Sequence, residues 1–82
     1  SRPLLGDDVN WLSIPAPEGP LRVRAKSRYR QEEREATVFP CGETRFRLEF
    51  DEPQRAVTPG QAVVLYDGDL VLGGGTITDV ER

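Results

Sequence analysis

A chain of 82 residues makes one small domain, and at this size folding buries only about 60–65% of the surface the unfolded chain exposes, so stability is modest. With no histidine and one cysteine, Cys41, the chain holds no internal disulfide, cysteine-rich zinc site or imidazole-based triad, so no catalytic and no metal-binding residue is expected. The formal charge of -3 argues against an autonomous, strongly basic nucleic-acid binder, and the absence of a long apolar run or a signal-peptide pattern predicts a cytoplasmic domain with no membrane partner.

Residues 1–8 show no periodic pattern and read as a linker from a preceding domain, followed by a short strand at Val9-Asn10-Trp11-Leu12. Ile14 to Pro20 (IPAPEGP) carries three prolines and a glycine, which forbids a helix and predicts a surface loop. From Leu21 the chain alternates. Arg22, Arg24, Lys26, Arg28 and Arg30 share one parity, and Leu21, Val23, Ala25, Ser27 and Tyr29 the other, the period of a strand. Gln31 to Glu35 reads as a hairpin loop returning through a strand at Ala36 to Phe39, and Cys41-Gly42-Glu43 as the next turn.

Arg45 to Phe50 alternates again, with Phe46, Leu48 and Phe50 inward, as in a half-buried antiparallel strand. Asp51-Glu52-Pro53 ends it, and Thr58-Pro59-Gly60 fits a tight turn in which proline presets φ and glycine takes a positive one. Ala62 to Tyr66 is apolar on both parities and is expected to be covered on both faces. Asp67-Gly68 between apolar runs predicts a hairpin, with Leu70-Val71-Leu72 pairing back. Gly73-Gly74-Gly75 marks a bulge, a barrel corner or a close approach of another backbone. Thr76 to Thr78 finishes the sheet, leaving residues 79–82 as a tail and 9–78 as the folded domain. About six short strands with tight turns and no helix predict an all-β fold, a small closed or nearly closed antiparallel barrel.

The alternating cations recur every 6.5–7 Å or so along one strand face, near the phosphate spacing of a nucleic-acid strand. They fit backbone tracking, and they equally fit a solvated face whose cations pair with Glu49 or Glu52. Tyr29 has the parity of core residues, and Gln61 at a strand start is commonly a turn-capping group. The triple glycine is no phosphate loop, since no lysine and no helix follow it. Cys41, in a turn without a histidine, reads as an inert or oxidisable thiol. Asp51 and Glu52 are expected on opposite strand faces, so they cannot form an acid–base pair unless the turn redirects them.

Three stretches carry a family likeness: VNWL at Val9 to Leu12, AKSRYRQ at Ala25 to Gln31, and the run from Phe50 to Gly75 that contains TPGQ. Together they resemble the C-terminal domain of tRNA-specific 2-thiouridylases, which put sulfur on the wobble uridine. The resemblance implies a six-stranded β-barrel similar to the second domain of elongation factor Tu, with tRNA as its partner. It implies tRNA contacts at Arg28 and Tyr29, from the arginine–tyrosine pair, and at Gln61, from TPGQ. Guanidinium can grip a phosphate bidentately, a phenol can stack on a base, and an amide offers both donor and acceptor.

In such enzymes ATP, with magnesium, adenylates the uridine, and a cysteine persulfide then replaces the C2 oxygen. A sulfur-donor protein, either a persulfide carrier or a cysteine desulfurase, works with domains this chain does not contain. The resemblance places the ATP loop and the sulfur-carrying cysteines there too, so this domain is expected to hold no cofactor. One departure stands out. Glu32-Glu33-Arg34-Glu35 is charged where many relatives have neutral residues or proline, and acids beside a tRNA contact repel phosphate, so this tip is expected to point away from RNA. The rival reading is a stand-alone β-barrel that binds a protein or an oligosaccharide, the cations serving only solubility.

Overall fold

The structure is a computed structural model that describes residues 3–27, 32–52 and 58–80. Six strands account for its regular structure: β1 (Leu4–Trp11), β2 (Leu21–Ser27), β3 (Arg34–Cys41), β4 (Arg45–Phe50), β5 (Ala62–Asp67) and β6 (Leu70–Val80). They close in the order β1-β4-β3-β2-β5-β6, every pairing antiparallel. Closure leaves no unpaired sheet edge and gives each strand one face toward a single core. Phe46, Leu48, Leu65, Ile77 and Val38 are its largest fully buried side chains.

Period two holds where it was read. Val23, Ala25 and Ser27 are buried on β2, with Arg22 and Arg24 exposed between them, and Phe46, Leu48 and Phe50 are the buried side of β4. The two expected glycine turns are present, with φ of 94° at Gly60 and 59° at Gly68. Gly68 and Asp69 form the two-residue loop between the paired Asp67 and Leu70. Ile14 to Pro20 carries no strand or helix.

Three expectations need correction. The sheet reaches further at both ends: β1 starts at Leu4, inside the stretch read as linker, and β6 runs to Val80, inside the expected tail. Leu4 and Leu5 pair with Val80 and Asp79. Two register shifts in β1, at Leu5/Gly6 and between Asp7 and Asn10, break the alternation, and Asp8 sits at φ 56°. β3 is longer than Ala36 to Phe39, because the charged Arg34 and Glu35 pair with Ala25 and Arg24 while their side chains stay exposed. Pro40 lies beyond the last β2 partner, Leu21↔Val38, where its missing N–H breaks no ladder with β2.

The third correction concerns β5, which is buried on one face only. Val63 and Leu65 are 2% and 0% exposed, whereas Ala62 is exposed and Val64 and Tyr66 are half-buried on the outside. An unbroken apolar run in a closed barrel still sends alternate side chains outward. The triple glycine is accounted for by close backbone approach. Leu65 pairs with Gly73 and Tyr66 with Val71, so Leu72 is the extra, buried residue of a bulge. A Cβ on Gly73 would run into the Asn10 carbonyl, and one on Gly74 would lie 2.7 Å from the Val63 carbonyl oxygen.

Candidate RNA-facing site

The two motifs read from the sequence meet at one end of the barrel. β2 and β5 pair antiparallel with Ser27 opposite Val63, so the C-terminal end of β2, which leads into Arg28, lies beside the start of β5, which follows Thr58-Pro59-Gly60-Gln61. Arg28 and Tyr29 themselves lie outside the described residues.

Gln61 is only 8% exposed. Its Nε2 donates to Thr58 Oγ1 at 3.2 Å and its backbone N–H to the Thr58 carbonyl at 3.3 Å, while its own carbonyl accepts from Ile77 N–H at 2.8 Å. The amide therefore caps the turn and anchors it to β6.

The cationic stripe divides into an occupied and an open part. Arg22 donates from Nη1 to Asp51 Oδ1 and from Nη2 to Asp51 Oδ2, both at 2.7 Å, and from Nη1 to Thr37 Oγ1 at 2.9 Å. Glu35 stands 3.8 Å away. The carboxylate partners of Arg22 are thus Asp51 and Glu35, not Glu49. Asp51 N–H donates to the Glu35 carbonyl at 3.0 Å, next to the Ala36↔Phe50 pair, which holds Asp51 beside β3, while Glu49 pairs with Arg47 at 3.0 Å. The hydrogen bond from Arg22 holds the Asp51 carboxyl below its usual range, and Asp51 in turn raises the Arg22 guanidinium. Arg24 and Lys26 make no ion pair among the described residues.

Acids collect on the other side of β2. Glu33, Glu35, Asp51 and Glu52 line a cavity of about 260 Å3 with Arg24 and Arg34, and Glu32 pairs with Arg34 at 2.9 Å. Cys41 ends β3, exposed, with its thiol 3.5 Å from the Phe39 carbonyl. The triple glycine lies within β6 and no helix follows it among the described residues, so it lacks the helix N-terminus of a phosphate loop.

The fold defines a small closed antiparallel β-barrel domain, with Arg24 and Lys26 on the outer face of β2. Residues 1–77 match the family described as the aminomethyltransferase beta-barrel domain, and the chain belongs to that family. It is 60% identical over 74 residues to the tRNA-specific 2-thiouridylase MnmA of Symbiobacterium thermophilum, covering 90% of this chain and 19% of that protein. Similar likenesses hold to the proteins of that name from Acetivibrio thermocellus, 52% over 94% of the chain and 21% of the relative, and Shouchella clausii, 49% over 96% and 22%. The chain thus spans about a fifth of the length of the curated relatives it matches.

Proposed function

We propose that this chain is the C-terminal, tRNA-contacting barrel of a tRNA-specific 2-thiouridylase and that its contacts radiate from the junction of β2 and β5. The observation that carries the reading is the Ser27↔Val63 register, which brings Ser27 of AKSRYRQ beside the start of the strand that follows TPGQ, in a chain 49–60% identical to such enzymes. Arg28 grips a phosphate and Tyr29 stacks on or hydrogen-bonds to the RNA. Gln61 joins this patch as the amide that holds the turn, and it touches RNA only by exchanging its bond to Thr58.

The whole protein, in this reading, adenylates the wobble uridine with ATP and magnesium and replaces the C2 oxygen with sulfur from a cysteine persulfide. Its nucleotide site and its sulfur-donor partner belong to the rest of the polypeptide, and it works in the cytoplasm. The barrel supplies no reacting group and raises the occupancy and alignment of tRNA.

The test is tRNA binding by the complete protein as a function of salt. Arg28→Ala is expected to weaken binding and to lower the log–log salt slope by about 0.7–0.9, the value for one phosphate contact. Gln61→Ala weakens binding with the slope unchanged, because a neutral amide displaces no counterion. Arg47→Ala, a control whose guanidinium already faces Glu49 and the Phe39 ring, leaves both unchanged. Equal losses at Arg28 and Arg47 would refute the placement.

A further inference from the structure

We propose that the outer face of β2 and β5 holds one unstacked nucleotide of the bound RNA, its base against Tyr66 and Val64 and its phosphate on Lys26. This inference rests on the tRNA-binding reading and extends it to residues outside both sequence motifs' contact positions. Lys26 pairs with Val64 and Arg24 with Tyr66 across the two strands, so cations and apolar side chains alternate on one surface. Between them lies an open cavity of about 310 Å3 lined by Lys26, Ser27, Ala62, Val64 and Tyr66.

Two independent features give that cavity its chemistry. Lys26 has no carboxylate partner among the described residues, and no carboxylate lines the cavity, whereas three other cavities each include at least one. Val64 and Tyr66 form a half-buried apolar wall on the outer face of β5. An aromatic and an aliphatic surface beside an unpaired cation is the combination on which single-stranded bases stack and their phosphates rest. A protein surface docked here would bring a carboxylate to Lys26; a polyanion brings the negative charge with every nucleotide. The cavity also adjoins the proposed contacts, since Lys26 and Ser27 precede Arg28, and Ala62 follows Gln61.

The experiment uses the complete protein and an unmodified tRNA transcript. Tyr66→Ala is expected to weaken binding about 5- to 100-fold, the range for loss of one stacked base, while Tyr66→Phe retains affinity. Lys26→Gln lowers the salt slope by about 0.7, as for one single-strand phosphate contact. Benzoylphenylalanine placed at Ala62, exposed on the rim, captures tRNA on irradiation. If Arg28→Ala weakens binding but Tyr66→Ala and Lys26→Gln do not, this inference fails and the tRNA-binding reading survives. Intramolecular capture by the photoprobe with no RNA adduct shows that the rest of the polypeptide covers the face and likewise overturns the inference. No tRNA binding by the unaltered protein overturns both.

Discussion

Gly6 and Gly75 let the barrel close over Phe46, and adding one methyl group at Gly6 tests this directly. Gly6 pairs with Phe46 on β4 and with Ile77 on β6, and the Phe46 ring, 1% exposed, occupies the space a Cβ at either glycine would need. The ring cannot swing away, because it is enclosed by the core. Overpacking of this kind costs about 1–3 kcal/mol, and the lower unfolded-state entropy of alanine returns about 0.4–1 kcal/mol. Gly6→Ala should therefore destabilise the chain by a net ~1–2 kcal/mol, a fall in Tm of about 4–16 °C for a domain of this size. Urea unfolding followed by Trp11, the one tryptophan, reads the change. A smaller residue should relieve the clash, so the same substitution in a Phe46→Leu background should cost less, with a coupling of about 0.5–3 kcal/mol. Gly19 is the control, since a Cβ added there would meet nothing within 4 Å, and Gly19→Ala should be neutral or slightly stabilising. Equal effects at Gly6 and Gly19, or no coupling with Phe46, would refute the steric account.

Two further outcomes follow from the charged and thiol groups. The lowered Asp51 pKa means that the stability from its bond to Arg22 is present above the unfolded-state pKa and is lost as pH falls through the folded one. Asp51→Asn should thus be less stable than the parent near neutrality and converge with it in acid; a gap that persists in acid, measured by thermal melts across pH, would show that Arg22 draws nothing from the carboxylate charge. Cys41→Ser in the complete protein should, in the proposed reading, leave thiouridine formation unchanged, because this thiol is exposed at the end of β3 and lies 3.5 Å from the Phe39 carbonyl; a large loss of turnover with the fold intact would mean that it carries sulfur.

The strands that sequence revealed are those whose two faces differ in chemistry. Arg22 to Ser27 and Arg45 to Phe50 alternate cleanly because one parity meets the core and the other meets water, and the glycines at 60 and 68 announce their turns through the positive φ they adopt. β1 was legible only at its C-terminal half. Its bulges shift the parity twice, and Asp8 adopts a left-handed conformation that favours no recognisable residue pattern. For Ala62 to Tyr66 the failure ran the other way: five apolar residues in a row hide which parity is outside, and only the ring closure shows that Val64 and Tyr66 face outward, half-buried.

The site was legible as motifs but not as a surface. Spacing along the chain cannot say which strands are neighbours, and the β2–β5 pairing joins residues 27 and 63 across two intervening elements. Nor can alternation of charge distinguish a cation held by a carboxylate from one left open. Arg22 and Lys26 occupy equivalent positions in the stripe, yet Asp51, just past the end of β4, pairs with the first, and no acid among the described residues pairs with the second. An acidic chain can therefore present a cationic face: the barrel confines its carboxylates largely to the β3–β4 side and the hairpin ends, and leaves Lys26 beside Tyr66 where a polyanion meets no repulsion from the cavity wall. Net charge governs long-range attraction, which the rest of a longer polypeptide can supply, whereas the local face governs where the RNA strand rests.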